Sequence, residues 1–384
     1  MAKTSPALDT ALRDRMNTLA AYEPMDVPVV SLYLNLSPDQ HGRDNYDTFI
    51  RKAFADHVKA FKPSSAERAS LERDQERIAA FLADQVNRSS NGLAVFSSSG
   101  AGEFFDAIQL DAPMGDHWFF VGSVPHLYPL AKIIDQYPRY ASVLLDTHQA
   151  RIFVFGLGAV ERRELLLGEK TRRSSMGGWS QARYQRRAEN MHLHHVKEVV
   201  DTLDRIVRDD EIQHVVVAGD DVVVPLFKQQ LPKPLAEKLV DVLSLQLNAG
   251  EDDIIQATLE VLRRKDAETD AERVQELIGA WQSNGLGVVG PQATLHALQL
   301  GQVDELLISA NAEELERTKL PDDAAPGHVK AATSAAAKVD ESKLKLSDEL
   351  VTRAQQTGAR VRVIEDAELL REFGGVGALL RFRI

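Results

Sequence analysis

Gly177, Gly178 and Trp179 lie in the stretch SSMGGWSQARYQRRAENMHLHHVKEVVDTL, which runs from Ser174 to Leu203. Adjacent glycines can adopt positive φ and bring the backbone close to a partner. Arginines flank them on both sides, with Arg172 and Arg173 before and Arg183, Arg186 and Arg187 after. Guanidinium groups in such a run suit phosphate contacts. An indole at the apex can stack on a nucleobase, which is worth about 1–3 kcal/mol. The same residues also suit an ordinary surface loop whose Trp179 tucks back onto its own domain, and residue type alone leaves both readings open.

Other spacings carry weaker chemistry. GLGVVG, from Gly285 to Gly290, has the spacing of a dinucleotide-binding turn, but that mechanism needs a strand before the first glycine and an acidic residue on the next strand. A helix ending near Trp281 precedes it, so these glycines read as a turn at the entry to a domain. His192 and His195 share a helical face, with His194 pointing elsewhere. Zinc requires three or four ligands, so the reading is a solvated or RNA-facing helix surface and no metal. Asp146, Glu164, Asp220 and Asp221 could serve a two-metal nuclease if they converged, whereas Asp220 and Asp221 more simply cap the helix that follows. Ser180 has no recognisable base partner.

The background to these residues is a chain of 384 residues with ordinary apolar and charged fractions, long enough for two or three domains. It contains no cysteine, which removes disulfides, thiolate metal sites and cysteine nucleophiles together. No apolar run approaches the length of a membrane span, and the N-terminal stretch does not read as a secretory signal; the expectation is a cytoplasmic protein with no membrane contact. The net charge of −12 argues against a general polyanion binder. The charge is uneven, however. Lys197–Glu276 is acidic, whereas Arg162, Arg163, Lys170, Arg172, Arg173, Arg183, Arg186 and Arg187 make the stretch before it basic. Screening confines such a local field to roughly 8–10 Å.

Hydrophobic periodicity divides the chain into three parts, of mixed α+β and α/β class. VPVVSLYLNL reads as a strand, residues 43–61 as a helix, and SSAERASLERDQERIAAFLADQ as a serine-capped helix. GLAVFSS, EFFDAIQLD and HWFFVGS read as strands, giving an α+β domain over residues 1–134. YASVLLD, ARIFVFG and AVERRELLL open a second domain over 135–282. A long helix follows, with Ala188, Met191, Val196, Val199, Val200, Leu203, Ile206 and Val207 on one face, then the strand HVVVAG and helical segments as far as Trp281. The third domain, 283–384, alternates strands and helices around a non-periodic Ala-, Lys- and Ser-rich segment, 320–343, which reads as a mobile loop.

GGWSQARYQRRAENMHLHHVKEVVD resembles the Gly-Gly-Gln loop and following helix of the class-one translation termination factors of archaea and eukaryotes, and of their relative Pelota. Gly177, Gly178, Ser180, Arg183, Tyr184, Arg186, Val196 and Val199 fall on the pattern. FGGVGALLRFRI resembles the closing segment of the same family, and GLGVVGPQATLHALQLGQVDELLIS is similar to the start of its third domain. The likeness spans roughly Tyr140–Ile384, and the order of parts is that of bacterial members, the Balon-type ribosome hibernation factors among them.

The resemblance implies a tRNA-shaped, monomeric protein for the ribosomal A site, needing no cofactor. Its N-terminal domain would face the rRNA of the decoding centre. Its central domain would be RNase H-like and carry the Gly-Gly tip toward the peptidyl transferase centre and P-site tRNA. Its C-terminal domain would resemble kink-turn-binding ribosomal proteins and contact a translational GTPase such as elongation factor Tu. Ribosome- and tRNA-binding residues would be Gly177, Gly178, Trp179, Ser180, Gln181, Arg172, Arg173, Arg183, Arg186 and Arg187. Trp179 stands where the family keeps its catalytic glutamine, and indole offers one donor and no acceptor. Gln181 comes two residues late, and misplacement near 1 Å can cost about 10²-fold. The chain has no Asn-Ile-Lys-Ser stretch and no cysteine for the Tyr-x-Cys-x-x-x-Phe element. The expectation is therefore occupancy of idle or stalled ribosomes without stop-codon reading and without catalysis. The alternatives are a rescue peptidyl-tRNA hydrolase and an RNA nuclease.

Overall fold

The computed structural model describes residues 8–37, 46–87, 89–100, 102–168, 180–311, 332–333 and 341–383. The chain packs as two compact units. Tyr137–Asp266 form the body of one; Ala11–Gln136 together with Ala267–Ile384 form the other. Among the described residues there are three sheets and eleven helices, and no helix is long and apolar enough to cross a membrane.

The N-terminal sheet is built around β1 (Val29–Asn35), which follows α1 (Leu8–Ala20). Every residue of β1 from Val29 to Leu34 is buried, because the strand is central and covered on both faces, and such strands read as continuous apolar runs. α2 (Tyr46–Val58) and α3 (Ala66–Asp84) lie over one face, where Leu32, Leu34, Phe54, Leu71, Ile78, Val95 and Phe119 form the core. Ser65 caps α3 as its sequence predicts, its Oγ accepting from the Arg68 amide at 3.3 Å. β2 (Gly92–Ser98) and β3 (Phe104–Leu110) continue an antiparallel meander from β1, and β4 (Trp118–Gly122) crosses back to pair antiparallel with the other side of β1. Asp74 on α3 is fully buried and held by the hydroxyls of Ser97 and Ser99, at 2.6 and 2.5 Å, and of Ser70. A short helix, α4 (Tyr128–Gln136), follows β4.

The central unit opens with three antiparallel strands, β5 (Tyr140–Leu145), β6 (Gln149–Gly156) and β7 (Ala159–Leu167), as the periodicity predicts. α5 (Ser180–Asp209) and α6 (Val223–Gln230) bracket β8 (His214–Gly219), which lies parallel to β5. After the one-turn α7 (Lys233–Ala236), Leu239–Leu243 is a strand, β9, parallel to β8. This corrects the expectation of helix throughout that stretch. LVDVL is β-branched and sits at an open sheet edge, where pairing outweighs weak helical character. The order β7-β6-β5-β8-β9 places the first strand in the middle and the fourth and fifth parallel to it, the arrangement of the RNase H-like fold.

One face of this sheet packs on α5 and α6 through Ile152, Val154, Val199, Leu203, Val217 and Phe227. α8 (Glu251–Gln282) contributes its first half to the central unit, where Thr258 meets the buried Tyr140 hydroxyl at 2.8 Å. Its second half belongs to the other unit and carries Val274 and Leu277 into a core with Leu307, Ile364 and Leu370.

The C-terminal sheet comprises β10 (Gly287–Val289), β11 (Val303–Ser309), β13 (Arg360–Ile364) and β14 (Val376–Leu380), in the order β10-β14-β11-β13. α9 (Pro291–Gln299), α10 (Glu341–Gln356) and the short α11 (Glu368–Arg371) connect them. Two residues, Ala332–Thr333 (β12), extend the N-terminal sheet by pairing with β4. They fall within the segment expected to be a loop, most of which lies outside the described residues. Leu277 of α8 lies so close to β14 that a Cβ on Gly377 would sit 2.5 Å from its Cδ2.

Candidate functional site

The Gly-Gly stretch joins the end of β7 to the start of α5. Arg172, Arg173, Gly177, Gly178 and Trp179 lie outside the described residues. Ser180, Gln181, Arg183 and Arg187 are on the helical backbone of α5, and Arg186 is exposed. Gln181, the residue a rescue hydrolase would use, therefore stands in the first turn of a helix.

The root of this stretch is built by β5, β6 and α5. Asp146 closes the turn between the two strands, its Oδ1 accepting from the amides of His148 and Gln149 at 2.6 and 2.8 Å. That turn presents the His148 carbonyl to the Gly168 amide at 2.7 Å, fixing where the chain leaves β7. His195 packs beneath Gly168, so that a Cβ there would lie 3.1 Å from its ring. The His192 ring approaches that of His148, with centroids 6.4 Å apart.

His195 corrects the expectation of a solvated histidine face. It is buried, with neither ring nitrogen hydrogen-bonded, and only His194 is exposed. The signal was present in the spacing: His195, Val199 and Leu203 recur every four residues on the apolar face. Among the described residues no three histidines or carboxylates are gathered to hold a metal.

α5 is buried only in its second half, through Val196, Val199, Val200, Leu203, Ile206 and Val207. Before His195 no described side chain of the helix is buried, and Arg186, Glu189, Asn190 and His194 face solvent. At 1.5 Å per residue, Ser180–His194 amounts to about 22 Å of helix.

Two members of the basic stretch are already engaged. Arg162 pairs with Glu164 at 2.9 Å and Asp210 at 3.2 Å. Arg163 grips Glu251 with two nitrogens, Nη2 to Oε2 at 2.6 Å, and this guanidinium holds the Glu251 carboxyl below the usual carboxylate range. These pairs remove Arg162 and Arg163 from the free cations near the tip, and two of the three partners, Asp210 and Glu251, lie far away in sequence. The acidic block is largely exposed, but Asp210 is spent on Arg139 and Arg162, and Asp270 is buried against Arg362.

Three of the four acids weighed for a nuclease have a local task. Asp146 closes its turn, Glu164 pairs with Arg162, and Asp220 caps α6 through the amides of Val222 and Val223 at 3.0 and 2.9 Å. Asp221 is exposed beside it. The GLGVVG glycines also serve the fold. A Cβ on Gly287 would fall 2.8 Å from the Trp281 amide nitrogen, and Gly290 has φ +87° as it opens α9.

Residues 125–263 match the family described as bacterial archaeo-eukaryotic release factor family 10, and residues 268–384 match domain 3 of the eukaryotic-type release factor. The chain is 20% identical over 414 residues to peptide chain release factor subunit 1 of Thermococcus kodakarensis, covering 97% of both chains. It is 23% identical over 379 residues to the factor of the same name from Aeropyrum pernix, covering 93% of this chain and 90% of that one. A structure of ribosome-bound archaeal Pelota aligns with 100% of this chain and 96% of that one at 14% identity, with a TM-score of 0.41.

Proposed function

From a chain that belongs to the bacterial branch of the archaeo-eukaryotic release factor superfamily, we propose a ribosome-associated translation factor that occupies the A site of idle or stalled ribosomes and protects them, without reading stop codons or hydrolysing peptidyl-tRNA. The observation that carries the reading is Trp179 following Gly177 and Gly178 on a family scaffold matched through its central and C-terminal parts. The scaffold is kept while the carboxamide that would place water is replaced by a group with a single donor.

In this reading the exposed Arg186 and its neighbours Arg172, Arg173, Arg183 and Arg187 grip rRNA phosphates. Trp179 stacks near the peptidyl transferase centre or the end of P-site tRNA. The N-terminal domain faces the decoding centre, a translational GTPase such as elongation factor Tu delivers the protein, and its place of action is the cytoplasm. Gln181 in the first turn of α5 is poorly sited to stand in for a residue at a loop apex, which weighs against a rescue hydrolase.

The test is co-sedimentation of the full chain with vacant ribosomes at moderate salt, paired with release of labelled peptide from P-site tRNA. Binding with no release is the expected pair of results. No co-sedimentation overturns ribosome binding; release that Gln181→Ala abolishes overturns the non-catalytic reading in favour of a rescue hydrolase.

A further inference from the structure

We propose that residues 126–136 and Asp348 form a clasp that fuses the N-terminal and C-terminal sheets into one body, with the central unit as an insertion in it. The proposal is independent of the ribosomal reading.

A helix leaves its first amides without partners in its own backbone, and a nearby Ser, Thr, Asp or Asn normally supplies them. α4 has no such residue at its start; Pro125, His126 and Leu127 precede Tyr128. The cap comes instead from α10. Asp348 Oδ1 accepts from the Leu127 amide at 3.0 Å and the Tyr128 amide at 3.2 Å. Its other oxygen takes the Nδ1 of His126. One carboxylate thus satisfies three consecutive residues, all buried, and its charge suits the positive end of the helix.

The first of them, His126, is also fastened to the N-terminal sheet. The His126 amide donates to Ser31 Oγ at 3.0 Å, and the Tyr33 hydroxyl donates to the His126 carbonyl. The His126 ring lies against Phe120 of β4. Along the rest of α4, bonds run to the C-terminal sheet: the Tyr128 hydroxyl to the Ser309 carbonyl at 2.7 Å, Lys132 Nζ to the Ala310 carbonyl at 3.3 Å, and the Val363 amide to Asp135 at 2.9 Å. Gln136 ends the helix on Glu365. A separate bond, Gln356 to the Ala20 carbonyl at 2.7 Å, ties α10 to α1. The chain leaves this body after Gln136 and rejoins it at Ala267.

A helix whose first amides are capped by Asp348 of α10, on the C-terminal side, cannot keep that cap when the two sheets part. Opening the clasp is therefore a cooperative event, and anything that displaces α4 separates the two sheets.

Hydrogen exchange by mass spectrometry on the full chain tests this. In the wild type, protected amides of β1 and β11 share one opening. Asp348→Ala accelerates exchange over 127–136, β1 and β11 by about tenfold or more and leaves β5 and β8 unchanged. Asp348→Asn, whose carboxamide oxygen still accepts from Leu127 and Tyr128, recovers part of the protection. If Asp348→Ala does not yield folded protein, the double variant Lys132→Met, Gln136→Ala removes two bonds at the far end of α4 and accelerates 127–136 likewise. Independent openings of β1 and β11 in the wild type overturn the proposal. So does unchanged exchange over 127–136 in a folded variant.

Discussion

Arg362 on β13 reaches Glu305 on β11 at 3.1 Å and Asp270 on α8 at 3.2 Å. Both acids are buried, and Arg273 of α8 approaches Glu305 from the other side at 3.6 Å. Ion pairs like these cost desolvation to form, and losing one partner strands a charge. Arg362→Ala is expected to lower the stability of the C-terminal part by about 3 kcal/mol. Urea unfolding followed by far-UV circular dichroism measures it, and a loss below about 1 kcal/mol would mean that apolar packing alone holds α8 on the sheet.

Asp74 sets a pH dependence. Burial raises its carboxyl above the usual carboxylate range, and the hydroxyls of Ser97, Ser99 and Ser70 offset only part of that rise. The native state therefore keeps this proton to a higher pH than the unfolded chain does. The contribution is fully present below the unfolded value and is lost as pH rises through the folded one. Asp74→Asn preserves the oxygen that accepts from Ser97 and Ser99, so the variant should fold and lose this component of the pH profile. Parallel pH–stability curves for the two proteins would show that Asp74 does not supply it.

Two glycines should respond in opposite directions to alanine. A Cβ on Gly219 would lie 2.5 Å from the Leu145 carbonyl oxygen, a backbone atom that cannot step aside, so Gly219→Ala should destabilise the central unit by about 1–3 kcal/mol. Gly279 sits within α8 with nothing within 4 Å of its Cβ position. Gly279→Ala should stabilise by about 0.5–1 kcal/mol through helix propensity. Thermal melts of the two variants check both signs.

Arg186 is the exposed, described member of the basic stretch on α5. If it contacts an rRNA phosphate, Arg186→Glu should weaken ribosome co-sedimentation and lower the slope of log affinity against log salt by about one. An unchanged slope would place this side chain away from the nucleic acid.

What could be read in advance follows the range of the interactions. β5, β6, β7 and the apolar face of α5 were legible because alternation and four-residue spacing are local. α1 was not assigned, and α4 was missed because Pro129 interrupts its pattern and its cap is Asp348, 220 residues after Tyr128. β9 was misread because five half-buried residues carry little periodicity. At the candidate site, the glycines and arginines were visible as residue types. That Arg162 and Arg163 are spent on Asp210 and Glu251, and that His195 is enclosed beneath Gly168, depends on pairings that only the fold creates.

Gly377 and Leu277 occupy a single volume between β14 and α8. A side chain at Gly377 would need the room that Leu277 now fills. Homologous chains that carry a side chain at the first should have shortened the second, and chains that keep a long aliphatic residue on the helix should retain a bare Cα opposite it. Such paired substitution would trace, across the family, the seam where α8 meets the C-terminal sheet.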